Sequence, residues 1–221
     1  MITVYGEGRG FRVIWLLEEM GLPYRLRDVD LLSGLEHDPE FGSINPAGFI
    51  PALVDGAVTM VESIAILEFL LARHGPTPLA PPPHDPTYGR YQQFLHLGEA
   101  GLAMAWYVVN CSANLAPPDE RNNWGARFAR EIFETRLGLV TRQLTHSQYL
   151  AGDHFTAADI SVVYALEYAE RGGFRFGDSE RAYIARCTAR QGYRRAMAAC
   201  HATRGWVESL ARARSAGEEA S

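Results

Sequence analysis

The stretch "INPAGFIPALVDGAVTMVESIAILEFLLARHG", residues 44–75, carries a proline at the mouth of one short apolar run, a tight turn, a second run, and a helix opened by Glu62 and Ser63. "IPALVDG" and "AVTMV" are predicted to be two strands, and Asp55 with Gly56 between them is a strong two-residue hairpin signal. Proline has no N–H to give a sheet ladder, so Pro51 belongs at a strand start or an edge. An Ile–Pro bond is also one of the few peptides for which the cis form costs little. The helix that follows begins with backbone N–H groups that have no partner within the helix, at the positive end of its dipole.

Upstream, "ITVY" (2–5) is a short β-branched strand and "GEGRG" (6–10) a glycine-rich break. "FRVIWLLEEMGL" (11–22) carries Phe11, Ile14, Trp15 and Leu17 to one side and ends on Gly21 as a helix cap. "YRLRDVDL" (24–31) alternates as a second strand, so the chain opens β-α-β, which requires a parallel pair. Residues 33–43 form a looser acidic segment. The order β-α-β then β-β-α predicts a thioredoxin-like layout around a mixed four-stranded sheet over residues 1–75.

Downstream, residues 75–87, "GPTPLAPPPHDPT", hold six of the twelve prolines, so 76–87 is read as a linker. Helical periodicity over 88–109, 121–146, 156–171, 179–190 and 192–210 then predicts an all-α helical bundle domain of about five helices, spanning 88–212. The polar end, 213–221, is expected to fray.

The chain has 221 residues, 47% of them apolar, enough for a substantial core in two domains. A net charge of -5 leaves no electrostatic footprint for nucleic acid, and all 21 basic residues are arginine. No long apolar run or basic leader is visible, which predicts a cytoplasmic protein with no membrane partner. Cys111, Cys187 and Cys200 lack the spacing of a zinc site or a redox pair, so no metal is expected.

Three motifs, "NPAGFIPALVDG" (45–56), "VESIAILEFL" (61–70) and "YLAGDHFTAADISVVYAL" (149–166), resemble those of the cytosolic glutathione transferase family, in the same order around a proline-rich linker. The resemblance runs from Met1 to about Trp206. It implies the family's two-domain architecture, a homodimer, and conjugation of glutathione, as co-substrate, to small apolar electrophiles, a detoxification chemistry.

Glutathione offers an α-amino acid end, a thiol and a glycine carboxylate. By resemblance, Ser63 and the adjacent N–H hold the γ-glutamyl carboxylate, Glu62 receives the ammonium group, and Ile50 beside a cis Pro51 pairs with the cysteinyl unit as an added strand. His37, eight residues before Asn45, stands where some members bind the glycine carboxylate. Within "LAMAWYVVN" (102–110), Met104, Trp106 and Tyr107 are the expected lining of an acceptor pocket between the domains. "TAAD", Thr156 to Asp159, has the form of a capping box with a structural role.

The sequence departs from the pattern at the thiol activator. Family members place a Tyr, Ser or Cys just after the first strand, where "GEGRG" has no Ser or Cys. Tyr5, Arg9 and the N–H groups of Gly8 and Gly10 stand as candidates, while the carboxylate of Glu7 would oppose a thiolate. Lowering a thiol pKa of about 8.5 by two units takes on the order of 2.7 kcal/mol. Two other readings stay open: a non-catalytic glutathione-binding or regulatory protein, and a glutathione-dependent peroxidase or reductase. The second would want a cysteine in the first domain, which has none.

Overall fold

The computed structural model describes residues 1–31 and 33–201. These form two compact units, Met1–Gly75 together with the segment from Ala189, and Pro76–Thr188. The first is thioredoxin-like. Strands β1 (Ile2–Tyr5), β2 (Tyr24–Arg27), β3 (Ala52–Asp55) and β4 (Val58–Val61) lie in the order β2-β1-β3-β4. β1 pairs with β2 in parallel and with β3 antiparallel, and β3–β4 is an antiparallel hairpin whose two-residue turn is Gly56–Ala57, one place on from the expected Asp55–Gly56, because Asp55 still pairs with Val58.

Side chains alternate across β1, so each face of the sheet gathers its own core. Val4, on one face, and helices α1 (Phe11–Met20) and α3 (Ser63–His74) contribute to the deepest core, with Val4, Ile14, Leu16, Ile66, Leu67 and Leu70 fully enclosed. On the other face Tyr5 and Ala52 pack with Phe41 of α2 (Pro39–Ile44). The looser segment read at 33–43 thus contains a helix. Asp38 caps it by accepting from the Phe41 N–H at 3.0 Å, and Pro39 takes the first helical position, where a missing N–H is harmless.

The second unit is all helical: α4 (Tyr88–His96), α5 (Met104–Asn114), α6 (Trp124–Leu144), α7 (Ala157–Arg171) and α8 (Asp178–Thr188). A π-helical segment, Leu97–Ala103, joins α4 to α5, so the helix read as 88–109 runs on to Asn114 with a bulge in it. Gly98 lies in this segment, where a Cβ would overlap the backbone and hydroxyl of Ser161 on α7. Ser161 in turn donates to the Leu95 carbonyl at 2.7 Å. The capping box forms: Asp159 accepts from Thr156 N at 2.8 Å, and also from Leu150 N and Tyr183 Oη at 2.9 Å each.

The helix expected at 192–210 differs in place and partner. Helix α9 (Gln191–Ala199) ends at Cys200, and it belongs to the first unit rather than to the helical bundle. The cause is its fit to α1. Tyr193 meets Phe11 and Trp15 edge-on, with centroids 5.5 and 4.9 Å apart. Arg190 grips Glu19 with two bonds of 2.9 and 2.8 Å, and Arg195 pairs with Glu18 at 2.6 Å. Helix α1 is therefore buried all round from Phe11 to Leu17, not on one stripe. The remainder of the 192–210 reading beyond residue 201, and the tail expected to fray, lie outside the described residues.

Candidate functional site

The loop "NPAGFIP" is held from within by Asn45, which is buried. Its side chain donates to the Phe49 carbonyl at 2.7 Å and accepts from the Ala47 N–H at 3.1 Å. This delivers Ile50 and Pro51 to the start of β3, and the Ile50–Pro51 peptide is cis. The glycine-rich loop after β1 folds against the same pair. Gly6 has φ 82°, a region glycine enters freely, and a Cβ there would overlap the Ile50 side chain. A Cβ at Gly10 would sit 3.3 Å from Cβ of Pro51. Gly8–Gly10 forms a short 3-10 turn that leads into α1, with Arg9 half-buried within it.

Glu62 and Ser63 meet at the first turn of α3. Glu62 is exposed and has φ 71°, the left-handed region that a residue with a Cβ enters at a cost of about 1–3 kcal/mol. Ser63 follows it as the first helical residue, 3% exposed. Its hydroxyl oxygen accepts from Nη1 of Arg12 at 3.0 Å. Arg12, the second residue of α1, is completely enclosed, at 0% exposure. A guanidinium carries its charge wherever it is placed, so a fixed cation lies directly beneath the N-terminus of α3. Helix end and hydroxyl together make this spot attractive to an anion.

The Tyr5 phenol points elsewhere. Its hydroxyl donates to Oε1 of Glu40 on α2 at 3.2 Å, its ring stacks on Phe41 at 6.1 Å, and the Arg27 guanidinium lies 5.7 Å from its centroid. Burial, and then Glu40, push its pKa up. Arg27 also clasps Asp38 with bonds of 2.5 and 2.7 Å, which holds the Asp38 carboxyl below its ordinary value. Tyr5, Arg27, Asp38 and Glu40 thus tie α2 to the sheet. The expectation that Tyr5 donates to a thiol is corrected: a hydroxyl has one hydrogen, and here Glu40 takes it.

Comparison with known proteins bears on what such a site serves. The glutathione S-transferase N-terminal domain model matches residues 10–73, and the C-terminal domain model matches 119–202. Glutathione S-transferase 3 of Schizosaccharomyces pombe is 30% identical over 176 residues, covering 75% of this chain and 72% of that protein. The chain belongs to the glutathione S-transferase family. Among solved glutathione S-transferases, the bacterial enzyme BphK in a ternary complex superposes with a TM-score of 0.76 at 25% identity, covering 88% of this chain and 96% of its own. The theta-class glutathione S-transferase of Xanthomonas axonopodis pv. citri with glutathione bound gives 0.73 at 25% identity, over 88% and 96%.

Within this family frame the remaining residues fall as follows. His37 is exposed on a 3-10 turn, and Glu36 is 3.9 Å from its ring. It borders a 560 Å³ surface cavity that also holds Arg27 and the carboxylates of Asp28, Asp30, Asp38 and Glu40. Acidic groups outnumber basic ones there, a poor setting for a second carboxylate. Met104 and Tyr107 are exposed on α5, but Trp106 is 1% exposed and packs on Phe133 and Phe174, with centroids 5.1 and 5.4 Å away. Trp106 is therefore core, and its place in an acceptor lining is withdrawn: two aromatic rings fill the space that a ligand would need. Glu7 is buried, and with burial it helps to raise the thiol pKa of Cys200, so its carboxylate lies within the field of the end of α9. Among the described residues no group of three or more His, Cys, Asp or Glu side chains is arranged to hold a metal ion, and no helix is long and apolar enough to cross a membrane.

Sequence reasoning missed Arg12, Asn45 and the Arg27–Asp38–Glu40 latch. Arg12 had a signal: it is a lone charge inside the apolar run "FRVIWLL", and a charge on a buried face requires a partner. Asp38 and Pro39 had one as well, as a helix cap followed by proline at the first helical position.

Proposed function

We propose that the protein conjugates the thiolate of glutathione to small apolar electrophiles. The observation that carries this reading is the junction of three elements in one unit: Ser63 at the α3 N-terminus over buried Arg12, Glu62 beside it at positive φ, and the β1–α1 loop folded onto Ile50 and Pro51. Strained residues of this kind cluster at ligand clamps.

In this reading Ser63 and the adjoining N–H hold the γ-glutamyl carboxylate, Glu62 receives the ammonium group, and the Ile50 backbone pairs with the cysteinyl unit. The thiol gives up its proton to solvent, the sulfur lone pair forms a bond to the electrophilic carbon, and a leaving group departs with the electron pair of the bond it breaks. Arg9 and the N–H group of Gly8 favour the thiolate, since Tyr5 is engaged with Glu40 and the Gly10 N–H, expected as a donor to the sulfur, donates to the Glu7 carbonyl at 2.9 Å. Met104 and Tyr107 serve the acceptor, and the acid-rich surroundings of His37 speak against the glycine-carboxylate role expected for it. A two-fold homodimer in the cytoplasm is the accompanying expectation, from family resemblance.

One observation favours a second reading, a non-catalytic glutathione-binding protein. The loop offers no hydroxyl or thiol to the sulfur, and the nearest phenol is committed. Retention on immobilised glutathione tests binding, and the ultraviolet thiolate absorbance of bound glutathione against pH separates the two readings. Conjugation requires a bound thiol pKa below that of the free tripeptide, whereas a mere binder leaves it unchanged.

A further inference from the structure

We propose that Arg27 is a positioning residue for glutathione, its pair with Asp38 holding α2 so that the Ile50 backbone meets the cysteinyl unit. The inference rests on the glutathione reading above and adds two residues that act on the site through α2.

Arg27 is the last residue of β2 and serves two segments at once. Its carbonyl accepts from the Gly6 N–H at 2.8 Å, which anchors the glycine-rich loop that folds against Ile50. Its guanidinium takes both oxygens of Asp38, the residue before α2, at 2.5 and 2.7 Å. Asp38 also accepts from the Phe41 N–H, so one carboxylate joins β2 to the first turn of α2. From there the path to Ile50 is short. The Asn45 N–H donates to the Phe41 carbonyl at 2.8 Å, and the Asn45 side chain holds the Phe49 carbonyl and the Ala47 N–H. Ile50 is the next residue after Phe49.

Packing alone would leave α2 free to slide. Phe41 is fully enclosed and packs with Tyr5 and Ala52, but an apolar contact has no preferred direction. A guanidinium and a carboxylate joined by two parallel bonds do have one. The Tyr5 bond to Glu40 adds a single tie of 3.2 Å. Helix α2 has only six residues, too few to be stable by its own hydrogen bonds, so its orientation comes from what holds it. Backbone groups that pair with a ligand as an added strand lose strength steeply as the bond angle departs from linear. A small turn of α2 is therefore felt at Ile50 as a weaker glutathione contact.

The test is calorimetric titration of glutathione into the full-length protein and into Arg27→Gln, Arg27→Lys, Asp38→Asn and Tyr24→Phe, with the bound thiol followed by ultraviolet absorbance against pH. Asp38→Asn loses the charge but keeps an oxygen for the Phe41 N–H, so the helix cap survives. Arg27→Gln and Asp38→Asn should each weaken glutathione about 3- to 30-fold, the order for residues that act on a site through packed neighbours. Both should leave the bound thiol pKa at its wild-type value, because Arg9 and Gly8 are untouched. The two changes combined should cost little more than one, since they break a single pair. Arg27→Lys keeps the charge without the fork and should fall between. Tyr24→Phe removes a 2.8 Å bond from the same strand to Glu18 of α1, and should lower thermal stability while leaving affinity within about twofold. If Arg27→Gln does not fold, Asp38→Asn carries the comparison. Undiminished glutathione binding in the folded variants would overturn the inference and leave glutathione as the ligand, as would a loss that Tyr24→Phe matches. A bound thiol pKa that rises along with the loss would place Arg27 at the sulfur and overturn it too. Wild-type protein that binds no glutathione would remove this inference together with the reading it rests on.

Discussion

At the scale of single residues, the proposed anion and thiol sites draw on different side chains. Ser63→Ala removes a hydroxyl that Arg12 holds in place, and it should weaken glutathione binding by about 1.5–3 kcal/mol by calorimetry without altering the circular dichroism of the fold. An unchanged affinity would mean that the carboxylate binds elsewhere. Tyr5→Phe is the informative contrast. Because the phenol hydrogen goes to Glu40, its loss should leave the pKa of bound glutathione unmoved and lower thermal stability by about 0.5–1.5 kcal/mol, the value of one partly buried hydrogen bond. Arg9→Met should raise that pKa instead. A rise with the tyrosine variant would return Tyr5 to the sulfur. At this scale the helix start at Glu62 and Ser63 and the cis Pro51 at the mouth of β3 were legible, because a helix start and a strand-opening proline have local signatures. The direction of the Tyr5 side chain was not, because it is set by α2, thirty-five positions away in the chain.

At the scale of elements, the capping box of α7 makes the firmest stability statement. Asp159 answers donors from Leu150, Thr156 and Tyr183 while fully buried, and burial raises its pKa in spite of them. Asp159→Ala would leave several buried donors without a partner, at about 1–3 kcal/mol each, so its cost should exceed the roughly 1 kcal/mol typical of an exposed cap. Urea unfolding should show that loss, and the surviving folded protein should bind glutathione as before. A cost of only a few tenths of a kcal/mol would contradict the part assigned to Asp159. "TAAD" announced this box in four residues. Helix α2 was missed although Asp38, Pro39 and Glu40 form a start signal of their own, because six residues are too few for periodicity to show. The π-helical segment at Leu97–Ala103 has no local signature either. It coincides with the close approach of Gly98 to Ser161, a contact between residues far apart in the chain.

At the scale of the whole molecule, sequence patterning distinguished an α/β first part from an all-helical second part but did not show that α9 packs on α1. Periodicity tells that a helix has an apolar face and not which face it meets. The pairing of Tyr193 with Phe11 and Trp15, and of Arg190 with Glu19, is a matter of surface fit. What unites the fold with chemistry is the claim that the first unit binds glutathione and favours its thiolate. The most direct test is the ultraviolet thiolate absorbance of glutathione bound to the wild-type protein, titrated against pH. The bound thiol is expected to titrate about one to two units below the free value of about 8.5, equivalent to about 1.4–2.7 kcal/mol of preference for the thiolate. A bound thiol that titrates at the free value would contradict it and leave a glutathione-binding protein without transferase chemistry.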